Sequence, residues 1–427
     1  MTKDSYNTSG AGRGSGCFSR LLRKPLPWWT RRASVAAVVL AVSTAAQAGD
    51  VTSEGGEFSL RGFGTLGLAR SSSSQAEFVR DLSQPDGLST HWSAKTDSVL
   101  GLQANFPAAE NLEAVAQAVS RYRYDGSHDP ELTWAFLKFE PNPNLSLRGG
   151  RLGTEFYMLA DSRLVGYSYL PIRPPNDYYG ALPFSYIDGA DGLATLPLGE
   201  GLLRSKLFAG LIREKAPLAN RQWDMNRSVM SGAYVDYQQG AWQWRLGYAQ
   251  VKFKKDLPLA DLHQLLELNG AMDASKALSM ADKLSRFYSA GAVYDSGPLQ
   301  VQLMLSRTQH DSKVFENSHA GYLIAGYRLN KVTPFAGFSW TRSSSKQLST
   351  GLGPVMDATV AGIMADSHSD QHTATLGLRW DFRQDMALKA QLDAVRGSPR
   401  SIFPTRWEQP NYNGRLNIVS LALDFVF

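Results

Sequence analysis

The chain has 427 residues, one cysteine, and 44 lysines and arginines against 39 acids, which gives a net charge of +5. The first 48 residues hold seven basic residues and one acid, so the other 379 residues carry a net charge of −1. This balance excludes nucleic acid as a partner of the remaining chain. Because the one cysteine is Cys17, the chain beyond residue 48 has no disulfide or thiol chemistry.

The N-terminus has the pattern of a secretory signal peptide. Basic residues between Arg20 and Arg32 precede an apolar run from Ala33 to Ala46, and Ala46-Gln47-Ala48 offers small residues spaced for signal peptidase. The apolar run is shorter than the ~20 residues that a membrane-spanning helix needs. We therefore predict that residues 1–48 are a cleaved signal peptide and that residues 49–427 form the mature domain.

The mature chain repeats one theme, which is a segment of alternating polar and apolar residues bounded by turn residues. An even number of such segments predicts an all-β fold, namely a transmembrane antiparallel β-barrel of about 16 strands. We place the strands near residues 57–70, 92–106, 110–124, 131–141, 143–153, 186–198, 201–213, 228–239, 240–254, 285–296, 298–311, 317–329, 332–345, 369–382, 385–398 and 413–427.

The connections alternate in length. Those after even-numbered segments are short and rich in turn residues, as in Gln238-Gln239-Gly240 and Asp295-Ser296-Gly297-Pro298. Those after odd-numbered segments are usually longer, and include residues 71–91, 154–185, 255–284 and 346–368. Short periplasmic turns and long external loops are typical of an outer-membrane barrel, whereas a soluble sandwich has no reason to alternate in this way.

The two faces of the strands differ in the expected manner. In the segment 240–254, Trp242, Trp244 and Leu246 share one face, and Gln243 and Arg245 share the other. The alternation alone does not tell which face meets lipid. The signal peptide and the terminal phenylalanine favour an apolar face toward lipid and a polar face toward a water-filled lumen.

The region 144–192 carries a specific resemblance. The run from Leu145 to Gly153, with Gly150-Arg151, resembles the fifth strand of Gram-negative porins, and Asp188-Gly189-Ala190-Asp191-Gly192 resembles the start of the next strand. The stretch from Gly153 to Asp191 is similar to porin-like proteins of gammaproteobacteria. The resemblance implies that residues 154–185 are an inward loop that narrows the pore, and that the protein is a homotrimer. The loop lacks the dense acidic cluster of the best-known porins, which puts cation preference in doubt.

The candidate pore residues follow from this assignment. We expect loop charges Glu155, Asp161, Asp177, Arg163 and Arg173 to face a basic wall and to set up a transverse field that governs ion preference. The wall acids are Asp97, Glu113, Asp236, Asp393 and Asp424. Eleven wall cations against five acids favour weak anion preference. The alternative is that many of these groups lie in solvent at strand ends and have no effect on permeation. The cationic candidates are Arg61, Lys95, Arg121, Arg123, Arg148, Arg204, Lys206, Arg245, Arg328, Arg379 and Lys389, and Arg151 at the strand end is added to the pore-lining set.

Residues 255–284 show helical rather than alternating spacing of leucines and alanines, which predicts one helical insertion in an external loop. It is either a lid or subunit contact, or a loop elaboration that packs on itself. Asp366, His368, Asp370 and His372 alternate, but nothing in their pattern fixes a metal geometry. We therefore predict no metal, cofactor or catalytic residue.

The C-terminus has apolar residues at every second position from Val419 to Phe427. It resembles the terminal strand that the outer-membrane assembly machinery recognises. The sequence thus predicts a non-enzymatic outer-membrane porin for passive diffusion of small hydrophilic solutes, with outer-membrane lipid and lipopolysaccharide around it. The alternative is a plugged barrel that acts as a phospholipase-like surface enzyme or a binding protein. A plug requires large apolar side chains inside the barrel.

Overall fold

The computed structural model describes residues 58–160, 162–181, 184–218, 221–400, 405–406, 408–409 and 411–427. Sixteen antiparallel strands form a closed barrel, in which each strand pairs with its neighbours along the chain and the first pairs with the last. The strands are β1 Ser59–Ser71, β2 Val99–Ala109, β3 Leu112–Arg121, β4 Glu131–Asn142, β5 Leu145–Gly153, β6 Tyr186–Leu198, β7 Gly201–Leu211, β8 Val229–Gln239, β9 Trp242–Lys252, β10 Leu284–Ser296, β11 Leu299–His310, β12 Asn317–Tyr327, β13 Val332–Ser344, β14 Asp370–Arg383, β15 Met386–Gly397 and β16 Arg415–Val426.

The predicted number of strands and the antiparallel barrel are confirmed. The largest difference in position is at β2, which begins at Val99 rather than near residue 92. Ser93 makes only an isolated bridge with Ala69, and residues 95–97 form a turn that interrupts the ladder before Val99. The predicted signal peptide at residues 1–48 lies outside the described residues.

The alternation of connection lengths is also confirmed. At one end, pairs of residues such as 240–241 and 297–298 join neighbouring strands, and Gly240 and Gly297 adopt φ values of 56° and 55°. A two-residue hairpin of this hand needs positive φ, which glycine adopts without strain. At the other end, the connections 72–98, 154–185, 212–228, 253–283 and 345–369 are long. We call these the short-turn end and the long-loop end.

Helices occur only in connections within the described part of the chain. The predicted insertion contains α2 Ala260–Leu268 and α3 Met272–Leu278, and a short α1 lies at Asn176–Tyr179. A further helix, α4 Pro354–Ala365, was missed by the sequence analysis, although proline at its first turn and Asp357 are helix-start signals. No helix in the described ranges is long and apolar enough to cross a membrane.

The register assigns a face to each strand residue. Thr65 on β1 lies opposite Asp424 on β16, and its hydroxyl donates a hydrogen bond to that carboxylate inside the barrel. Leu421 and Val419 point outward and are 47% and 42% exposed, whereas Ser420 is fully buried. The predicted alternation of β16 is therefore confirmed, with the apolar residues outside.

The closure between β1 and β16 depends on a glycine. Gly64 lies directly opposite Phe425, and a Cβ at Gly64 would be 2.3 Å from the ring of Phe425. This ring covers the glycine, so Phe425 is only 7% exposed despite its outward position. Close packing of a ring against a backbone leaves no space for a larger residue.

We therefore expect Gly64→Val to displace the Phe425 ring and to lower the free energy of unfolding by about 1–3 kcal/mol. The measurement is the thermal unfolding midpoint of the refolded mature chain in detergent. Gly149→Val is the matched control, since a Cβ at Gly149 meets nothing within 4 Å. Equal midpoints for both variants would contradict this account of the closure.

Candidate functional site

Residues 154–185, which we call the crossing segment, enter the barrel from the long-loop end and reach the short-turn end. The hydroxyl of Tyr167 donates a hydrogen bond of 2.6 Å to the carbonyl of Gln384, which lies in the turn between β14 and β15. Pro171, Pro174 and Pro175 stiffen the chain on its way and prevent a regular ladder. The segment therefore passes through the interior rather than over the rim.

Two basic wall residues hold the backbone of the crossing segment near the short-turn end. The ammonium of Lys389 donates to the carbonyls of Gly166, Tyr169 and Pro171 at 2.6–3.0 Å, and it pairs with Asp424 at 2.8 Å. The guanidinium of Arg379 donates to the carbonyls of Tyr167 and Tyr169 at 2.7 and 2.8 Å. These cations stabilise the position of the segment.

Arg173 is the central ionic contact of the crossing segment. Its side chain is 1% exposed, and its guanidinium pairs with Asp97 and, at 3.0 Å, with Asp393 on β15. It also donates a hydrogen bond of 2.7 Å to Ser420 on β16. The two carboxylates compensate the buried charge and raise the pKa of Arg173 against the effect of burial. Here the segment supplies the cation, and the connection 72–98 and β15 supply the acids, which is the reverse of the polarity expected from the sequence.

Asp177 also departs from the expected transverse field. Its carboxylate accepts hydrogen bonds from the Ser339 hydroxyl at 2.6 Å and from the Gln371 amide at 2.7 Å, rather than from basic wall residues. Burial raises the pKa of Asp177, because these neutral donors offset the loss of solvent only in part. This acid anchors helix α1 to β13 and β14.

A second ionic cluster fixes the start of the crossing segment. Glu155 accepts a hydrogen bond of 2.8 Å from Arg148 and pairs with Lys206, and both cations also contact Asp191. Burial opposes ionisation of Glu155, but Lys206 and Arg148 outweigh it and lower the pKa of this carboxyl. Arg148, Asp191 and Lys206 lie on the inner faces of β5, β6 and β7, so the cluster narrows the lumen on this side.

The connection 72–98 folds inward as well and packs on the crossing segment. The guanidinium of Arg80 donates to the carbonyl of Arg163 at 2.9 Å, and the Asn176 amide donates to the carbonyl of Val79 at 2.8 Å. The guanidinium of Arg163 donates hydrogen bonds to the hydroxyls of Tyr157 and Ser185. The Ser185 hydroxyl also accepts a hydrogen bond from the guanidinium of Arg121. Most of these groups are buried, so the two connections form one packed unit.

Aromatic rings of the crossing segment fill the interior near β10 to β12. Tyr157 packs against Tyr179 with ring centres 5.1 Å apart and against Phe287 at 6.0 Å. The hydroxyls of Tyr179 and Tyr322 are hydrogen-bonded at 3.0 Å, and Tyr178 packs on both rings. These rings fill this part of the lumen and occlude it. Large side chains inside the barrel are the feature that was expected of a plug.

The inner wall remains accessible on the opposite side at the short-turn end. Gln103 and Asn105 on β2, Glu113 on β3, Lys138 on β4 and Arg204 on β7 point inward and are half-buried rather than buried. The Asn105 amide donates to Glu113 at 2.6 Å, and Lys138 lies 3.8 Å from that carboxylate. This polar surface is not covered by the crossing segment.

The structure places the remaining candidates as follows. Arg245 is on the inner wall, where it pairs with Asp236 and donates to the carbonyl of Tyr157 at 3.0 Å. Arg61 points inward at the short-turn end and is exposed, and Arg328 pairs with Asp295 beside a short turn. Asp161 lies outside the described residues.

Three predicted pore residues are not on the inner wall. Arg151 lies on the outer face of β5 and donates to Asp188, because it is three residues from the inward-facing Arg148 on the same strand. Arg123 and Lys95 lie in connections at the long-loop end rather than on strands, and they pair with Asp125 and Asp86. The structure therefore places none of these three side chains on the inner face of a strand.

Other buried charges were missed by the sequence analysis. Glu214, in the connection after β7, accepts hydrogen bonds from the backbone N–H groups of Ser185 at 2.6 Å and Tyr186 at 3.2 Å. Burial and the nearby Glu131 raise the pKa of Glu214 to about 7. Glu214, Arg80 and Asp81 lie in connections, where no strand alternation assigns a face. In the described ranges, no group of three or more histidine, cysteine or acidic side chains is placed to hold a metal ion.

Comparison with known proteins gives likeness in fold. No protein-family model and no curated protein sequence matches the chain. Among solved structures, the outer-membrane expressed OmpT of Vibrio cholerae is 12% identical with a TM-score of 0.53, over 88% of this chain and 100% of that one. The anion-selective porin from Comamonas acidovorans is 13% identical with a TM-score of 0.53, over 87% and 99%. The outer membrane channel DcaP of Acinetobacter baumannii is 14% identical with a TM-score of 0.51, over 88% and 99%.

We expect Arg173→Gln to release the crossing segment. Removing one partner of a buried ion pair costs about 3–5 kcal/mol, because Asp97 and Asp393 are left without a compensating charge. The measurement is trypsin cleavage after Arg163 in the folded barrel, identified by mass spectrometry. Adding Asp393→Asn should restore part of the resistance, and Arg383→Gln, which removes an exposed pair, is the control. If Arg173→Gln stays as resistant as the wild type, Arg173 is not the anchor.

The raised pKa of Glu214 predicts a pH dependence with a defined sign. A carboxyl whose folded pKa of about 7 lies above its ordinary value of 4.5 favours folding below pH 4.5, and this contribution is lost as pH rises toward 7. We expect a loss of about 3 kcal/mol over this window. Thermal unfolding of the wild type and of Glu214→Gln at pH 5 and pH 8 measures it. The glutamine variant should be less sensitive to pH, and equal pH dependence of both proteins would refute the assignment.

Proposed function

We propose that this chain, which has the sixteen-stranded fold of outer-membrane porins, is an outer-membrane channel for small hydrophilic solutes and ions. The observation that carries the proposal is the accessible polar surface at the short-turn end of β2, β3, β4 and β7, which the crossing segment leaves uncovered. Permeating solutes would pass between this surface and the segment. A lumen lined by polar and charged side chains is what a diffusion channel requires.

The cellular setting forms part of the proposal. Residues 1–48 would direct export and be cleaved, and the alternating strand that ends at Phe427 would be recognised by the assembly machinery of the outer membrane. The outward-facing leucines, valines and phenylalanines of the barrel would face lipid. A homotrimer is proposed from the resemblance to porins.

The ion preference proposed is weak and anionic, on a narrower basis than the sequence suggested. Most cations of the inner wall are held by acids or by backbone carbonyls, as Lys389 and Arg245 are. Arg61 and Arg204 differ, because neither has an ion-pair partner among the described residues. Their charges are therefore available to permeating anions at the short-turn end.

A closed barrel is the second candidate. The aromatic cluster around Tyr157 and Tyr322 supports it, because large side chains occupy part of the interior. Such a barrel would act as a surface enzyme or a binding protein. The absence of enzymatic activity remains a prediction, and the channel is preferred because of the accessible polar wall.

Single-channel current of the refolded mature chain in a planar bilayer under a salt gradient tests the proposal. We expect stepwise conductance and a reversal potential that indicates weak anion preference. Arg204→Gln should shift this potential toward cation preference, whereas Arg151→Gln, which neutralises a charge on the outer face, should not. The absence of conductance steps from protein shown to be folded and inserted would refute the channel proposal and favour the closed barrel.

A further inference from the structure

Three basic side chains form a row on the outside of the barrel near the long-loop end. Arg307 on β11 lies directly opposite His319 on β12, which lies directly opposite Arg342 on β13. All three are exposed, and they point outward because the inner positions of these strands are taken by residues such as Ser306 and Ala320. We call Arg307, His319 and Arg342 the basic row.

Apolar residues lie below the basic row on the same outer face. One step toward the short-turn end are Leu305 and Trp340, and a second step brings Leu323 and Phe338, which are 46% and 47% exposed. The rings of Trp340 and Phe338 are stacked at 6.2 Å. Tryptophan is enriched at membrane interfaces, and leucines below it belong to the hydrocarbon. This order places the basic row at the level of lipid headgroups.

The charges of the basic row are poorly compensated by the protein. Like charges in neighbouring cross-strand positions are destabilising. Asp370 lies 3.3 Å from Arg342, in a pair whose side chains are 69% and 49% exposed. Arg307 has no ion-pair partner in the part of the chain that the structure describes. By contrast, the nearby Arg396 donates to the carbonyls of Val395 and Leu416 and to Asn417.

We propose that the basic row is a binding site for the phosphate groups of a lipid in the outer leaflet. This inference rests on the proposed location in an outer membrane. Guanidinium groups bind phosphate oxygens in a bidentate manner, and two arginines two strands apart, at about 10 Å, can hold a lipid that carries two phosphates. The imidazole of His319 lies between them as a further donor. Acyl chains of the same lipid would lie on Leu323 and Phe338.

Binding of bisphosphorylated lipid A to the refolded mature chain in dodecyl maltoside micelles, measured by native mass spectrometry, tests the site. We expect the double variant Arg307→Gln/Arg342→Gln to weaken binding at least tenfold. The matched control is Arg328→Gln/Arg383→Gln, which removes two exposed charges at the short-turn end and should change binding less than twofold. Heat-dependent gel mobility shows whether each variant is folded. If the double variant does not fold, the single variant Arg307→Gln is used in its place.

Two further probes distinguish binding of the whole lipid from binding of its phosphate groups alone. Lipid A without phosphates should bind at least tenfold more weakly than the bisphosphorylated form, and inorganic pyrophosphate should compete only at much higher concentration. Equal binding to the wild type and the double variant, or equal binding of the dephosphorylated lipid, would overturn the proposal. Pyrophosphate binding as tight as that of lipid A would show a general anion site instead. Failure of the channel proposal is distinguishable, because it is read from current and not from lipid binding.

Discussion

A guanidinium group with almost no access to water must be compensated by carboxylates, and the interior of this barrel is arranged around that requirement. Arg173 carries its charge into the lumen, where Asp97 and Asp393 meet it from the connection 72–98 and from β15. Desolvation of three charged groups is costly, so the arrangement persists only while all three remain together. The crossing segment, the connection 72–98 and the barrel wall are thereby coupled into one packed structure.

This coupling changes what the charges of the inner wall do. The N–H groups of Lys389 and Arg379 donate hydrogen bonds to carbonyls of the crossing segment. Arg148 and Lys206 neutralise the charges of Glu155 and Asp191. A count of inward-facing charges therefore does not predict ion preference. The charges that matter for permeation are those that the segment leaves without partners, on the side of the barrel that it does not cover.

The strands could be predicted from the sequence because an alternation with a period of two specifies both the element and its face. The number of strands, the short turns and the outward face of β16 follow from that pattern. The connections carry no such periodicity, so the inward path of 72–98 and the burial of Glu214 could not be read from it. Arg151 shows that a resemblance can mislead where the pattern does not, since residues three apart on a strand cannot share a face.

The crossing segment is held inside the barrel down to the short-turn end, where the Tyr167 hydroxyl is bonded to the Gln384 carbonyl. The most direct test is an electron spin-resonance distance measurement on the mature chain in a lipid bilayer, with labels on cysteines introduced at Ser168 and Asp385. The structure predicts one short, narrowly distributed distance. A long or broadly distributed distance would show that the segment is not held at the short-turn end, and would contradict this account of the lumen.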